Sequence, residues 1–256
     1  PVFGSPGRAV EAIAELRRFV QAQERRLPAG APADARVAEA LQAVGPKPTE
    51  YDAKRFLSAC GVPVVAERAV HGGHEAVAAA DELGYPVAVK VLSPEITHKT
   101  ELGGVRLNLR DAGAVREAYG AVSSLGRTHS ALVSAMVDVR LELIAGIHTD
   151  PTFGPMILLG LGGIFAQALD DVALRPAPIV AADVADMVSE LRGAALLRGA
   201  RGLPVVRMAE LENLLLALSE IAVTGKVESL DINPVAVTSE GRLLALDASL
   251  FKSERG

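Results

Sequence analysis

Tryptophan is absent from this 256-residue chain, and aromatic residues of all kinds make up only 4% of it. Stacking platforms for bases are therefore scarce. With a net charge of −5, the chain also lacks the basic stripe that a nucleic-acid surface needs. Cysteine is nearly absent: Cys60 stands alone, so no disulfide framework can form and a reducing cytoplasm is the expected compartment. The role expected of Cys60 is packing in a helix, not nucleophilic catalysis. Long hydrophobic runs are missing as well. Met156–Leu169 is interrupted by Gly160, Gly162 and Gly163 and followed by Asp170-Asp171, too short and broken to span a bilayer. No secretion-signal pattern opens the chain, and a start at Pro1 without an initiator methionine reads as an excised piece or a processed product.

Lysine is the scarcity that points to chemistry. Of 26 basic residues only six are lysine: Lys47, Lys54, Lys90, Lys99, Lys226 and Lys252. Where arginine serves as the general surface cation, Lys90 and Lys99, nine residues apart, imply a need for a compact ammonium. Lys90 interrupts the apolar run Val87–Leu92, which reads as a strand buried on both faces, a costly place for a cation unless an anion meets it. The competing reading is a lysine whose stem snorkels from a strand edge. A turn at Ser93-Pro94, His98 beside Lys99, and Gly103-Gly104 follow. Val105, Leu107 and Leu109 then alternate with polar residues at the period of a half-exposed strand. Two strands flanking such a loop direct attention to phosphate.

The remaining chain reads as a mixed α/β architecture. Ser5-Pro6 starts a helix carrying Val10, Ile13, Leu16 and Val20 at helical spacing. LPAGAPADAR is a linker, and a short helix near Arg36–Val44 leads to the break at Gly45-Pro46. Thr49 to Asp52 form a capping box ahead of an apolar face of Ala53, Phe56, Leu57 and Cys60. Val62–Val70 predicts a strand, His74–Leu83 a helix closed by Gly84, and Asp111–Leu125 another helix. After Gly126 strands follow one another: Ala131–Val137, Leu141–Ile147 with Glu142 inside it, and Met156–Leu159 running into Gly162-Gly163. Helices near Ala182–Leu191 and Met208–Val223 precede closing strands at Ser229–Ile232, Val235–Val237 and Leu243–Leu246. Asp231, Asn233 and Asp247 lie at or between those strands, and such oxygen donors suit a hard cation. Asn233-Pro234 is equally a turn signal, so spacing alone leaves both readings open. Neither glycine pair fits the dinucleotide or P-loop fingerprint.

Taken together, Lys54 to Leu109, DPTFGP from Asp150, GLGGIF from Gly160, DVALRPAP from Asp171, GARG from Gly199, LDINP from Leu230 and LALDA from Leu244 resemble, in that order, the ATP-grasp portion of the ADP-forming acyl-CoA synthetases. The resemblance covers nearly everything from residue 47 to 250. It implies an ATP-grasp fold of two α/β lobes over 47–252, the smaller spanning about 62–125, with the nucleotide in the cleft. Residues 1–46 would be a helical leader and linker resembling the end of a CoA-ligase portion.

The resemblance also implies roles. Lys90 matches the lysine that holds nucleotide phosphates, with Lys99 nearby, and Glu142 matches the acidic residue of the nucleotide pocket. Asn233 and Asp247 match Mg²⁺ ligands, with Asp231 the acidic position beside them. His98 matches a histidine that relays a phosphoryl group. ATP or ADP and Mg²⁺ would be the cofactors. The partner would be a CoA-binding portion, fused upstream or separate as an alpha subunit, carrying a phosphohistidine, and an oligomer is a further possibility. Neither nucleic acid nor membrane is expected. One stretch departs from the pattern: in SAMVDVRLE from Ser134, Ala135 and Leu141 replace polar family positions and Arg140 stands at a turn glycine. That departure leaves a second reading, a catalytically silent nucleotide-sensing domain fused to a protein acetyltransferase.

Overall fold

A computed structural model describes residues 5–25, 35–96, 99, 102–126, 129–163 and 171–253. Two hydrophobic cores organise these residues, each under its own antiparallel sheet. The chain enters through α1 (Pro6–Arg25) and α2 (Ala35–Gln42). The expected linker falls largely outside the described residues. In α1 the stripe Val10, Ile13, Leu16 and Val20 faces solvent.

Helix α3 (Glu50–Ala59) starts where the capping box demands. The Asp52 amide donates to Thr49 Oγ1 at 3.3 Å and the Thr49 amide to Asp52 Oδ2 at 2.9 Å, satisfying two amides a helix start leaves bare. Its Ala53, Phe56, Leu57 and Cys60 then enter the larger core, as their spacing predicts.

The smaller lobe holds β1 (Glu67–Val70), α4 (Gly73–Leu83), β2 (Val87–Val91), β3 (Val105–Leu109), α5 (Ala112–Ser123) and β4 (Ala131–Ala135), with sheet order β1-β4-β2-β3. Side chains alternate across a strand, so Val87, Val89 and Val91 pack beneath α4 and α5 with Val115, Val122 and Val133. Ala88 and Lys90 share the opposite face, in register with Ser134 and Leu132 of β4. That face looks into the cleft.

The larger lobe holds β5 (Val139–Asp150), β6 (Gly154–Leu161), β7 (Val172–Pro176), α6 (Ala181–Glu190), the one-turn α7 (Ala194–Leu197), α8 (Met208–Val223), β8 (Val227–Thr238), β9 (Leu243–Ala245) and β10 (Ala248–Lys252). Its sheet runs β10-β8-β5-β6-β7, with β9 on β8. Leu211, Leu214, Leu215, Leu218 and Ile221 form one stripe of α8 against Leu143, Ile157 and Leu159. Each such leucine contributes about 1.5–3 kcal/mol by leaving water.

Three expectations change. Val62–Val70 is a strand only from Glu67; before it, Val65 donates to the Ala245 carbonyl at 3.1 Å and Ala245 to that of Pro63 at 2.9 Å, so this segment ties the lobes together. Leu107 does not turn inward with its neighbours and is 61% exposed, because β3 is an edge strand whose register shifts against β2 and whose Asn108 adopts φ 60°. The strands expected at Ser229–Ile232 and Val235–Val237 are a single strand, β8, paired with β5 along most of its length, so Asn233-Pro234 lies inside a strand.

Candidate functional site

The cleft is built around a carboxylate that the sequence reading overlooked. Glu50, the first helical residue of α3, is 6% exposed. Its Oε1 accepts from Lys54 Nζ at 2.6 Å and Lys90 Nζ at 2.7 Å, and its Oε2 accepts from Lys99 Nζ. Lys54, fully buried one turn further along α3, also donates to Glu67 of β1 and, at 3.1 Å, to the Leu246 carbonyl. Lys90 donates to that same carbonyl at 3.0 Å. Ser134 Oγ of β4 completes the shell by donating to Glu67 Oε2 at 3.3 Å. Half of the chain's six lysines thus converge here, from α3, from β2 and from the loop after β2.

Backbone geometry holds the loop lysine. The Gly104 amide donates to the Lys99 carbonyl at 2.7 Å, and its own carbonyl accepts from Val91 at 2.8 Å. A Cβ at Gly104 would stand 2.7 Å from Val91 Cγ1 and 3.0 Å from the Lys99 carbonyl, so only glycine lets the loop fold back this closely.

The charges respond to one another. Burial alone would raise the Glu50 carboxyl, but Lys90, then Lys54 and Lys99, hold it far below the usual carboxylate range. Burial alone would lower the Lys90 ammonium, but Glu50 and then Asp247 raise it above its ordinary value. Glu67 goes the other way, pushed up by burial against the pull of Lys54.

Across the cleft stand the oxygen donors. Asp247 follows β9 and its Oδ2 lies 3.7 Å from Lys90 Nζ; the Asn233 amide donates to the Asp247 carbonyl at 3.2 Å. Asp231 is on β8 opposite Ser249 of β10. Burial raises the Asp247 carboxyl and the charge of Glu50 adds to it; burial and then Asp247 raise that of Asp231. Two carboxyls held above their ordinary values, beside an amide, suit a divalent cation that takes one or two carboxylates and leaves its other positions to phosphate and water. Among the described residues no group of three or more His, Cys, Asp and Glu forms a fuller metal cage.

Glu142 lies on β5 opposite Ala236, at the start of the Gly162-Gly163 turn. The Gly162 amide donates to its carbonyl at 2.7 Å, and Gly163 has φ +62° with its missing Cβ 2.7 Å from Glu142 Oε2. Of the sequence candidates, Lys90, Lys99 and Asp247 are thus drawn together, Asp231 and Asn233 border them, and Glu142 stands on the neighbouring strand. His98 lies outside the described residues. Glu50, Lys54 and Glu67 were missed. Glu50 and Lys54 carry one readable signal, opposite charges four apart on a helix whose lysine is scarce; Glu67 carries none.

Two lobes with lysines on one wall of the cleft and carboxylates on the other describe a class that binds a phosphate-bearing ligand with a cation. Residues 39–251 match the ATP-grasp domain profile, and the chain belongs to that family as the ATP-grasp portion of the ADP-forming acyl-CoA ligases. It is 34% identical over 210 residues to the acetate–CoA ligase [ADP-forming] I subunit beta of Pyrococcus furiosus, covering 79% of this chain and 90% of that one. It is 33% identical over 255 residues to the acetate–CoA ligase [ADP-forming] I of Archaeoglobus fulgidus, covering 94% of this chain and 37% of that one. The chain therefore spans nearly all of a separate beta subunit and little more than a third of a longer relative. Among solved structures, the dinucleotide forming acetyl-coenzyme A synthetase 1 of Ca. Korarchaeum cryptofilum, in complex with coenzyme A and Ca-AMPCP, superposes with a TM-score of 0.78 at 32% identity, covering 85% of this chain and 98% of that one. The same protein is known with Mg-AMPPCP and its phosphohistidine segment pointing towards the nucleotide binding site, with a TM-score of 0.72 at 32% identity, covering 86% of this chain and 100% of that one. No helix among the described residues is long and apolar enough to cross a membrane.

Proposed function

We propose that this chain is the nucleotide-binding half of an ADP-forming acyl-CoA ligase, acting with a CoA-binding portion in the reversible reaction of acid, CoA and ATP to give acyl-CoA, ADP and phosphate. The observation that carries the reading is the pairing of Lys90 with Asp247 across the cleft, a cation for phosphate facing a carboxylate for Mg²⁺. Lys90 and Lys99 would hold the nucleotide phosphates, and Glu142 would border the nucleoside beside Gly163. Asn233 and Asp247 would hold Mg²⁺, with Asp231 beside them; once bound, the ion would neutralise charge on the phosphate oxygens.

His98 is proposed as the relay between a phosphohistidine of the partner portion and the nucleotide. In the direction of ATP formation its neutral imidazole nitrogen takes the phosphoryl group as the partner's P–N bond breaks. The P–N bond on His98 then breaks as a β-phosphate oxygen of ADP forms the new P–O bond, returning a neutral imidazole. Phosphoryl transfer asks a protein chiefly for position and charge, which this cleft can supply.

Mixing the chain with the CoA-binding alpha subunit of a relative should produce ATP from ADP, phosphate and acetyl-CoA. Lys90→Ala should cut the rate about 100-fold or more by removing a charge-assisted contact to phosphate. Labelled phosphate should pass through His98 and be lost in His98→Ala. Failure of the chain to bind Mg·ATP, or a Lys90→Ala variant that works as well as the parent, would refute the proposal. Nothing in the relatives named above supports the regulatory alternative.

A further inference from the structure

We propose that Glu50 is a positioning residue for the nucleotide phosphates, acting through Lys90 and Lys99 and backed by the buried Lys54–Glu67 pair. The inference rests on the nucleotide-binding reading above and assigns the chemistry behind the lysines.

Counting donors separates the three lysines. An ammonium has three N–H groups. Among the described residues Lys54 uses all three, on Glu50, Glu67 and the Leu246 carbonyl, and its side chain is 1% exposed. It is saturated and sealed, so it cannot reach a ligand. Lys90 uses two, on Glu50 and Leu246, and its side chain keeps 12% exposure toward Asp247. Lys99 uses one among the described residues, on Glu50, with 10% exposure. The lysines that retain donors among the described residues are therefore those that border the cleft, and both are held from behind by the two oxygens of one carboxylate.

That carboxylate is itself fixed from behind. Glu50 sits at the start of α3, where the helix dipole favours negative charge, and α3 belongs to the larger core through Phe56 and Leu57. Lys90 and Glu67 belong to the smaller sheet. Glu50 thus carries the position of one lobe to the phosphate-facing ammonium groups of the other. Without it, three ammonium groups would repel one another at close range and lose their common anchor. A flexible lysine stem has too many rotamers to hold a donor in place unaided.

The test is calorimetric titration of Mg·ATP and of AMP into the parent chain, Glu50→Gln and Glu50→Asp. The parent should bind Mg·ATP; if it does not, the nucleotide reading fails and this inference with it. Glu50→Gln should weaken Mg·ATP about tenfold or more while weakening AMP far less, because the missing part is the grip on the outer phosphates. Glu50→Asp should restore part of the loss. Glu50→Gln leaves buried ammonium groups unpaired and can fail to fold, so Glu50→Gln combined with Lys54→Met removes one charge of each sign and carries the same expectation. A double-variant cycle completes the test: on a Lys90→Ala background, Glu50→Gln should change Mg·ATP affinity much less than in the parent. Folded Glu50 variants that bind Mg·ATP as the parent does, or lose Mg·ATP and AMP affinity in equal measure, would overturn the inference while leaving the nucleotide reading intact.

Discussion

The two walls of the cleft satisfy their charges in opposite ways. On the wall of Glu50, Lys54 and Glu67, cation and anion are buried together and hydrogen-bonded from several sides, so the groups need nothing from outside. On the wall of Asp231 and Asp247, burial raises both carboxyls, Asp247 adds to the rise at Asp231 and Glu50 to the rise at Asp247, and Lys90 at 3.7 Å from Asp247 relieves only that one. A finished ion network is scaffold; an unbalanced pair of carboxylates is a place for a ligand to supply charge. Lys90 belongs to both walls, which is why it is the residue most informative about function.

The largest effect should come from breaking the finished wall. Lys54→Met removes the cation from between two buried carboxylates and should cost about 3–5 kcal/mol in urea or thermal unfolding, because a buried charge without its partner is far worse than no pair. A loss no greater than that of a surface substitution would mean that the Glu50–Lys54–Glu67 network is not formed.

Acid should act with opposite sign on Glu50 and on the carboxylates across the cleft. Glu50 titrates far below its ordinary 4.5, so its stabilisation is complete above that value and is lost as pH falls below about 4.5. Asp231 and Asp247 titrate above their ordinary 3.8, so protonating them in the fold relieves repulsion and stability is recovered as pH falls through their raised values. Denaturant unfolding across this range should therefore show a shallower acid loss in Glu50→Gln than in the parent. Parallel acid limbs would contradict the assignment.

A smaller effect should follow from the helix start that presents Glu50. Thr49→Ala removes the side-chain half of the capping box and should cost about 1 kcal/mol, measured by thermal unfolding. A loss within error would show that the core contacts of Phe56 and Leu57 hold the start of α3 without its cap.

How much of this was legible depended on whether the signal was local. The capping box, α8 and the buried lysine of β2 announce themselves within a few residues, through side-chain bonding to the backbone, apolar periodicity and a charge in an apolar run. Glu50 was visible only as the second residue of the capping box, where an acidic side chain is ordinarily a solvated helix start. Lys54 was counted among the six lysines but not distinguished from a solvated helix residue. Glu67 meets Ser134 only through the β1–β4 register, a pairing 67 residues apart in sequence that no local pattern encodes. The long strand β8 was divided because an Asn-Pro step reads as a turn, while its pairing with β5 shifts register at the step and resumes on either side of it. The order of motifs carried the fold; it did not reveal what stands behind the lysines.

The division of labour between the walls is tested most directly by calorimetric titration of ATP, with and without Mg²⁺, into the parent chain and Asp247→Asn. The parent should bind ATP more tightly with Mg²⁺ than without. Asp247→Asn should lose that gain and yet bind metal-free ATP at least as well as the parent, since a carboxylate that repels phosphate has been neutralised. The same Mg²⁺-dependent gain in both proteins would contradict the assignment of the carboxylate wall to the cation.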